Sequence, residues 1–424
     1  MGLSSPAGHP VFMPSHAYPS GKDNMESVQD HPQTRMMYYF FLLGFFAIFS
    51  TTVSKTPVLP LFSQALGADD ALIGLIAFFS PLAGILFSFP IGVMSDHIGR
   101  KKILVLSGAI FLAAPFLYLL VMNPYWLIPI RFFHGTATAI LGPLVSAIIA
   151  ERFPARKAEM IGQYSSATLI GRTVAPLVGG AIISYFVFYP GLLQYRIVYI
   201  AAAAAAVPVF IMTLLYREKE SGPLNLLPFS VFRDSFMTFF SNRRLRGTAF
   251  VDMATYFAFG AFETFLPILL ASRGMSAYET GIIFAVQVLI IAATKPLFGR
   301  VADRVDKRVQ ILAGIVLTGV SIALVPFCQS FAQFLIVSSL FGLGISISTV
   351  ATTAYIADVA RKEQIGASMG ALSSIMDIGQ STGPLVTGMV ITAIGYTSGF
   401  FLSFMLAIVV SVLFVVSVID HTHQ

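Results

Sequence analysis

Long apolar stretches alternate along this chain with short polar segments that carry most of its charge. Each stretch has about 20 residues or more, the length that an α-helix needs to cross the hydrocarbon core of a bilayer. Backbone groups inside a bilayer must pair with one another, which favours helices there. The pattern predicts twelve transmembrane helices, at residues 37–66, 72–95, 103–122, 125–151, 161–187, 196–216, 247–272, 279–300, 309–328, 331–358, 365–392 and 398–419.

The composition supports a membrane protein. The 424 residues are 56% hydrophobic and 11% charged, whereas about 25% of the residues of an ordinary soluble domain are charged. A soluble fold would have to hide every one of these stretches in a single core, so we exclude that class. The single cysteine, Cys328, rules out an internal disulfide and a cysteine-based metal site. We expect neither a metal nor a cofactor.

The cationic residues of the loops predict the orientation in the membrane. An even number of spans places both termini on one side, and cytoplasmic loops carry an excess of Lys and Arg. Almost all loop cations lie on the side of the N-terminus, and Arg196 and Arg273 are the exceptions. We therefore expect a multi-pass protein of the cell (inner) membrane with both termini in the cytoplasm. The net charge of +6 then reflects topology and not nucleic-acid binding.

Polar segments divide the chain into parts. Residues 1–36 have no apolar period and predict a disordered cytoplasmic tail. In the long internal loop, residues 226–240 combine aromatic residues with few charges, which favours a short helix on the membrane surface. The predicted parts after the tail are a six-helix bundle at 37–216, a cytoplasmic linker at 217–246, a second six-helix bundle at 247–419 and a short cytoplasmic tail at 420–424.

The two predicted bundles have related sequences. The loop Gly92 to Lys102 recurs 207 residues later as Gly299 to Arg308, and Gly171 to Gly180 recurs 208 residues later as Gly379 to Gly388. Repeats with the same orientation occur in transporters whose halves rock about a site near the bilayer midplane. The sequence therefore predicts an all-α integral membrane protein with two homologous six-helix halves.

At these residues the chain resembles the major facilitator superfamily, and within it the twelve-span drug/proton antiporters. The loop Gly92 to Lys102 fits the superfamily pattern G-x-x-x-D-x-x-G-R-K-K, and Pro57 to Pro60 fits the antiporters' P-V-x-P. Arg131 to Gly135 fits R-x-x-x-G. Gly171 to Gly180 fits G-x-x-x-G-P-x-x-G-G, except that Ala175 replaces the middle glycine.

The resemblance covers residues 37–419 and implies a monomeric secondary transporter in the lipid bilayer. It would exchange a small organic molecule for protons and export it by alternating access. An importer or uniporter of an organic anion on the same fold is the alternative, and a lipid flippase is a further one. A membrane enzyme or a receptor is disfavoured, because the sequence shows no catalytic constellation and no signalling domain. The sequence also shows no nucleotide-binding loop, which disfavours transport driven by ATP.

The resemblance also implies roles for the repeated motifs. Charged loop residues of the first half would hold the cytoplasmic side closed, and the second half has the parts for the same device; solubility and topology signals are the simpler interpretation. Gly and Pro in spans 5 and 11 allow close helix approach and a local bend, with packing alone as the alternative. The gating residues are Gly92, Asp96, Gly99, Arg100, Glu151, Asp303, Lys307 and Asp358, and the helix-bend residues are Gly171, Pro176, Gly179, Gly180, Gly383 and Pro384.

Ionisable residues inside the predicted spans indicate where the substrate site lies. A charge at mid-bilayer costs at least about 2.5 kcal/mol on insertion scales, so each one needs a partner, a cavity or a function. The spans of the first half hold Lys55, Arg131 and Arg172, and those of the second half hold Glu263 and Asp377. Three buried cations favour an anionic or zwitterionic substrate.

The two acids are the candidates for carrying protons. Burial favours the neutral form of a carboxyl group, so we expect Glu263, and after it Asp377, to exchange protons. A permanent salt bridge of Glu263 to Lys55 or Arg131 is the alternative. The resemblance adds Arg131, which matches an arginine implicated in the proton coupling of the antiporters.

Four residues are the candidate substrate contacts: Lys55, Arg172, Tyr256 and Gln380. Arg172 would bind an anionic group of the substrate, and an ion pair with Asp377 is the alternative. Tyr256 lies on the helix face that should look into the cavity. Gln380 occupies the repeat position of Arg172, and Lys55 either faces the cavity or reaches the membrane surface.

Two further ionisable residues, Asp252 and Lys295, lie close to the cytoplasmic ends of their predicted spans. A side chain near a helix end can keep its charged group in the polar headgroup region. We expect both residues at the membrane interface and not among the ligands.

Overall fold

The structure is a computed structural model that describes residues 32–218, 237, 239–360 and 365–419. Within these ranges it leaves out the side chains of residues 32–34, 89–98 and 365–367. The described residues contain no β-strand. They form the α-helices α1 Pro32–Val53, α2 Val58–Ala65, α3 Asp70–Ile98, α4 Arg100–Leu119, α5 Leu127–Arg152, α6 Lys157–Tyr185, α7 Leu193–Leu215, α8 Arg243–Ser272, α9 Ala277–Ala302, α10 Lys307–Leu324, α11 Phe331–Val359, α12 Ile365–Ile394 and α13 Tyr396–Ile419.

The prediction of an all-α membrane protein is confirmed. Helices α1 and α2 make one span, and each later helix makes one more. Among the described residues, 11 spans are long and apolar enough to cross a membrane. Helix α12 has 30 residues but carries many Ser, Thr and Gly residues, and it is the remaining span of the twelve that the sequence predicts.

The first helix starts earlier than the sequence predicts, and most of the predicted polar segments lie outside the described residues. Helix α1 begins at Pro32, five residues before the predicted start of the first span. Residues 1–31, most of the surface helix predicted at 226–240, and the tail at 420–424 lie outside the described residues. Their predicted conformations therefore stay predictions.

Close contacts between helix backbones join the two halves. In α6, the Cα of Gly180 faces the backbone of Ala277 in α9 so closely that a side chain at position 180 would overlap it. In α12, Gly388 faces the backbone of Asp70 in α3 in the same way. Gly180 and Gly388 are 208 residues apart, and Asp70 and Ala277 are 207 apart. The two contacts are therefore copies of one contact, as the sequence repeat predicts.

Hydrogen bonds beside these glycines repeat in the same way. The backbone N–H of Tyr278 donates to Ser184 Oγ at 2.9 Å. The backbone N–H of Ala71 donates to Thr392 Oγ1, also at 2.9 Å. These four residues obey the same offsets of 207 and 208, so the halves are related by an approximate two-fold rotation.

The two sides of the helical bundle differ in how the halves meet. We call the side that holds the ends of α1 and α13, at Pro32 and Ile419, the terminal side, and the other side the opposite side. Among the described residues, every hydrogen bond between the halves lies on the opposite side or near the middle of the spans. These bonds join Ala71 with Thr392, Ser184 with Tyr278, Asp70 with Tyr396, Lys55 with Glu263, and Thr56 with Glu263.

Apolar packing also seals the opposite side. Ala68 and Ile73 of the first half belong to the same buried cluster as Phe265, Leu266 and Leu269 of α8. The other large clusters lie inside one half each or use one neighbouring residue from the other half. The protein is therefore closed on the opposite side.

Replacement of Gly180 by Leu should open this closed side. Overpacking costs about 1–3 kcal/mol, which shifts an equilibrium about tenfold for each ~1.4 kcal/mol. The reporter is Thr264→Cys in a Cys328→Ser chain, because Thr264 is buried beneath the closed side. We expect a membrane-impermeant maleimide applied from the opposite side to label this cysteine about tenfold faster in Gly180→Leu.

The matched control is Gly142→Leu, because a Cβ atom added at Gly142 would meet nothing within 4 Å. It should leave the labelling rate unchanged. An equal rate in Gly180→Leu and in the parent chain would contradict the closed side described here.

Candidate functional site

The first span is interrupted where the site begins. Helix α1 ends at Val53 and α2 begins at Val58, so Lys55 lies in the segment between them. Pro57 in this segment has no N–H group, and its ring is incompatible with a regular helix interior. The N–H of Lys55 still donates to Thr52 O at 3.0 Å. The break is therefore local, and it places the Lys55 side chain near the middle of the protein.

An ion pair at this break connects the two halves. Lys55 Nζ lies 2.6 Å from Glu263 Oε2, and the exposed fractions of the two side chains are 24% and 13%. Thr56 Oγ1 donates to the other carboxylate oxygen of Glu263 at 2.9 Å. Lys55 and Glu263 are 208 residues apart, so they occupy equivalent places in the repeat. Equivalent residues can touch only near the axis that relates the halves, so the pair lies close to that axis.

A cavity of about 350 Å³ extends from this ion pair. Both halves contribute to its wall, and it reaches Pro143, which lies toward the terminal side of α5. Lys55 and Glu263 also line a much smaller space toward the opposite side, so the pair forms the floor of the cavity. The charged and polar side chains of the described wall are Thr51, Thr52, Lys55, Thr56, Ser80, Ser88, Arg131, Thr138, Arg172, Glu263, Gln287, Asp377 and Gln380.

The cavity wall carries an excess of positive charge. Lys55 and Glu263 neutralise each other, which leaves Arg131 and Arg172 against Asp377. Arg131 is 2% exposed, and its Nε atom has no hydrogen-bond partner among the described residues. A buried cation in this state attracts an anionic group strongly, because the low dielectric of the interior does not screen it.

Asp377 reaches the cavity from the second half. A Cβ atom at Gly84 of α3 would lie 3.4 Å from Asp377 Oδ2, so the carboxylate lies against the first half of the protein. Within the described residues, no ion pair forms between Asp377 and Arg172. Both groups therefore face the cavity without neutralising each other directly.

The structure brings together most of the predicted site residues. Of the four candidate substrate contacts, Lys55, Arg172 and Gln380 line the cavity. Tyr256 is half-buried and is not among the lining residues; its ring lies edge-on to Phe259 at 6.2 Å. The candidates for proton coupling, Glu263, Asp377 and Arg131, all line the cavity. Their roles stay predictions.

The expectation of an interfacial Asp252 is wrong. The residue is completely buried inside the second half. Thr352 Oγ1 lies 2.9 Å and 3.0 Å from its two carboxylate oxygens. The helix end is near, but α8 packs against α11 there, and this packing removes Asp252 from the membrane surface.

Two of the predicted gating contacts form inside the halves. Arg100 Nη2 lies 2.5 Å from Glu151 Oε1, which joins α4 to α5. Lys307 Nζ lies 2.9 Å from Asp358 Oδ2, which joins α10 to α11. Both members of the second pair follow their counterparts by 207 residues. In this conformation neither pair crosses between the halves.

Of the other gating residues, Gly99 lies next to Arg100 of the first pair. Gly99 has a φ of +100°, which favours glycine, and it precedes the first residue of α4. There the N–H of Arg100 donates to Glu218 Oε1 at 2.7 Å. Asp303 is exposed. Gly92 and Asp96 fall in the part of α3 whose side chains lie outside the description.

The glycines and prolines of the predicted bend motifs lie at close helix contacts. Gly171 faces the backbone of Phe45 in α1, and Gly383 faces the backbone of Phe257 in α8. The remaining members are near the other half or the first span: Pro176 against Gly281, Gly179 against Val53 and Val58, Gly180 against Ala277, and Pro384 against Gly74 and Gly260. Close packing explains these residues in this conformation, and a bending role stays a prediction.

The chain matches the family model of the Major Facilitator Superfamily over residues 40–286 and 248–424. These matches cover most of the chain. The chain belongs to the major facilitator superfamily. It is therefore a transporter of small molecules in the lipid bilayer and not an enzyme.

Individual proteins with similar sequences or folds agree with this assignment. An uncharacterised transporter of the superfamily from Methanocaldococcus jannaschii is 22% identical over 84% of this chain and 92% of its own length. A multi-drug resistance efflux pump homologue of Lactococcus lactis is 24% identical over 84% of this chain and 88% of its own length. A crystal structure of the nucleoside transporter NupG superposes with a TM-score of 0.75 and 14% identity, over 90% of this chain and 100% of that one.

Gln287 lines the cavity but is not among the predicted site residues, because the prediction considered mainly ionisable residues. This residue of α9 is 1% exposed and lines the cavity. An uncharged polar side chain inside an apolar stretch is the signal that could have found it, together with Ser80, its counterpart 207 residues earlier. Both positions contribute to the cavity wall.

Removal of one partner of the Lys55–Glu263 pair should destabilise the protein more than removal of both. A buried charge left alone costs about 3–5 kcal/mol, whereas replacement of both residues by uncharged ones leaves no buried charge. We expect Glu263→Gln and Lys55→Met each to lower the midpoint of thermal unfolding in detergent. The double variant should recover most of the loss.

The exposed pair Arg156–Glu159 is the control, with exposed fractions of 52% and 48%. Exposed pairs contribute about 0–1 kcal/mol, so Arg156→Ala should hardly change the midpoint. Strictly additive losses in the Lys55→Met/Glu263→Gln double variant would show that the two groups do not interact.

Proposed function

We propose that this protein exports a small organic anion or zwitterion in exchange for protons. The observation that carries the proposal is the Lys55–Glu263 ion pair, which joins the halves at the floor of a cavity with excess positive charge. The pair supplies a group that can take up a proton. The cavity supplies cations that can bind an anion.

The distribution of loop cations supports a cytoplasmic terminal side. With that orientation, the closed side of this structure faces outward and the cavity extends toward the cytoplasm. An exporter loads its substrate in such a state. Binding from the cytoplasm then precedes the rocking motion that exposes the site to the outside.

The ion pair links substrate binding to the movement of the halves. In the closed state, Glu263 holds Lys55 across the axis. An anionic substrate that binds Lys55 competes with Glu263 and weakens this link, so the halves can separate on the outer side. A ligand changes a conformational equilibrium only through such a difference in interaction between the two states.

Proton uptake completes the exchange. On the outer side, Glu263 no longer faces Lys55 and can accept a proton as the substrate leaves. The neutral acid then returns with the closing halves, and re-formation of the ion pair releases the proton to the cytoplasm. Asp377, which has no ion-pair partner among the described residues, is a second acid that can exchange a proton in the same cavity.

The comparisons support export as the direction. The Lactococcus lactis relative is called a multi-drug resistance efflux pump, and its alignment covers most of both chains. Two members of the α6 motif that resembles the antiporters' pattern, Pro176 and Gly180, lie at helix contacts with the second half. An importer or uniporter of an organic anion is the second candidate, because a cationic cavity binds an anion from either side.

Proton flux in liposomes tests the coupling. The purified protein is reconstituted with a pH dye inside, and organic anions, zwitterions and cations are added outside. We expect an anion to elicit proton movement. Glu263→Gln should abolish this movement, because an amide does not take up a proton near neutral pH. Exchange of labelled for unlabelled substrate should persist in this variant, since that exchange needs no proton.

Glu159→Gln, at an exposed position, is the control and should behave like the parent chain. Substrate uptake without proton movement in the parent chain would leave a uniporter and reject the coupling. Unchanged proton movement in Glu263→Gln would show that a residue other than Glu263 carries the proton.

Loss of the Arg172 cation should weaken the binding of anions selectively. A hydrogen bond to a charged group is worth about 1.5–3 kcal/mol, which corresponds to roughly a tenfold to hundredfold rise in Kd. Titration calorimetry of Arg172→Gln with organic anions measures this rise. Arg196→Gln is the control, because Arg196 lies outside the cavity wall; an equal rise in both variants would indicate a general effect of charge.

A further inference from the structure

Gln287 is a buried polar side chain whose amide group has no hydrogen-bond partner in the described parts of the chain. It is 1% exposed, and neither Oε1 nor Nε2 has a partner among the described residues. Buried amide groups are almost always paired, because an unpaired group loses its bonds to water and gains nothing in return. Gln287 belongs to the cavity wall, and its two amide atoms are covered in this conformation. A change of side-chain rotamer turns the amide toward the cavity, where a bound molecule supplies the missing partners.

Close packing of α11 against α9 supports the side chain of Gln287. A Cβ atom at Gly342 of α11 would lie 3.0 Å from the backbone carbonyl oxygen of Gln287 and 3.1 Å from the Cγ atom of its side chain. The absence of a side chain at Gly342 therefore lets α11 approach and support the Gln287 side chain. In the first half, Gly135 makes the same close contact with the backbone of Ser80. The repeat thus builds two supported wall positions, and only the second carries a carboxamide.

A carboxamide recognises a particular kind of chemical group. Its N–H donor and its C=O acceptor lie side by side, so it pairs with a neighbouring acceptor and donor of an amide, a lactam or a nucleobase edge. The wall of the same cavity also includes Phe259, Phe284 and the cation of Arg172. These groups suit a planar, anionic ring.

We propose that Gln287 selects planar organic anions that carry a lactam or amide edge. The proposal rests on the anion transport proposed above and names the class of anion. The carboxylate binds to the cationic part of the cavity, and the lactam N–H and C=O bind to Oε1 and Nε2 of Gln287. An anion of the same size without this edge leaves the amide unpaired and binds less tightly.

Two ring acids of the same charge and similar size provide the test. The probe 6-oxo-1,6-dihydropyridine-3-carboxylate has a lactam edge, whereas nicotinate has only a ring nitrogen acceptor. Titration calorimetry on the full chain in detergent measures both Kd values. We expect the lactam acid to bind about tenfold more tightly, as one or two net hydrogen bonds allow, and Gln287→Leu to abolish this preference with little change for nicotinate.

Two further measurements separate recognition from a structural role. Gln310→Leu removes another buried carboxamide, which lies outside the cavity wall, and should keep the preference. Gln287→Leu should keep or raise the midpoint of thermal unfolding, because it removes an unpaired polar group. A fall in the midpoint would mean that the amide has a structural partner and would count against the proposal.

The outcomes distinguish this inference from the proposed function. Equal binding of both acids by the parent chain, or a preference that survives Gln287→Leu, would overturn the role of Gln287 and leave the anion site intact. Binding of neither acid would overturn the proposed anion site together with this inference. Arg172→Gln should weaken the binding of both acids equally, since both carry the same carboxylate.

Discussion

The structure depends on the cost of placing charge inside a membrane. Lys55 and Glu263 belong to different halves, and each would be expensive to bury alone. Their contact near the axis removes most of that cost in this structure, in which the opposite side is closed. In the proposed cycle, a group that competes for Lys55, or a proton that neutralises Glu263, changes the balance between conformations.

The repeat explains why the pair can sit between the halves. The glycine contacts of Gly180 and Gly388, and the hydrogen bonds beside them, are two copies of one interface. The repeat thus places matching contacts on both sides of the axis, and together they hold the opposite side closed. The two halves differ at wall positions of the cavity: Arg172 has Gln380 as its counterpart, and Gln287 has Ser80. These differences place the cation of Arg172 in the wall from the first half, and the carboxamides of Gln287 and Gln380 in the wall from the second half.

The charge clusters at the terminal side show how conformation decides a role. The sequence predicts a device that closes this side, and the structure places Arg100 with Glu151, and Lys307 with Asp358, inside their own halves. Each pair fixes the ends of two neighbouring helices. Closure of the terminal side would need new contacts across the halves, and the residues of such contacts depend on the other conformation.

The sequence by itself determined the spans, the repeat, the family and the set of charged residues that the cavity gathers. Length, apolar content and spacing are local properties, and a membrane makes them unusually informative because it restricts the chain to helices. The tertiary structure alone decided which of these residues meet. It paired Glu263 with Lys55 across 208 residues, buried Asp252 behind Thr352, and left the amide of Gln287 without a partner in the cavity wall. Such contacts depend on how helices from distant parts of the chain pack together, and neither periodicity nor composition specifies that packing.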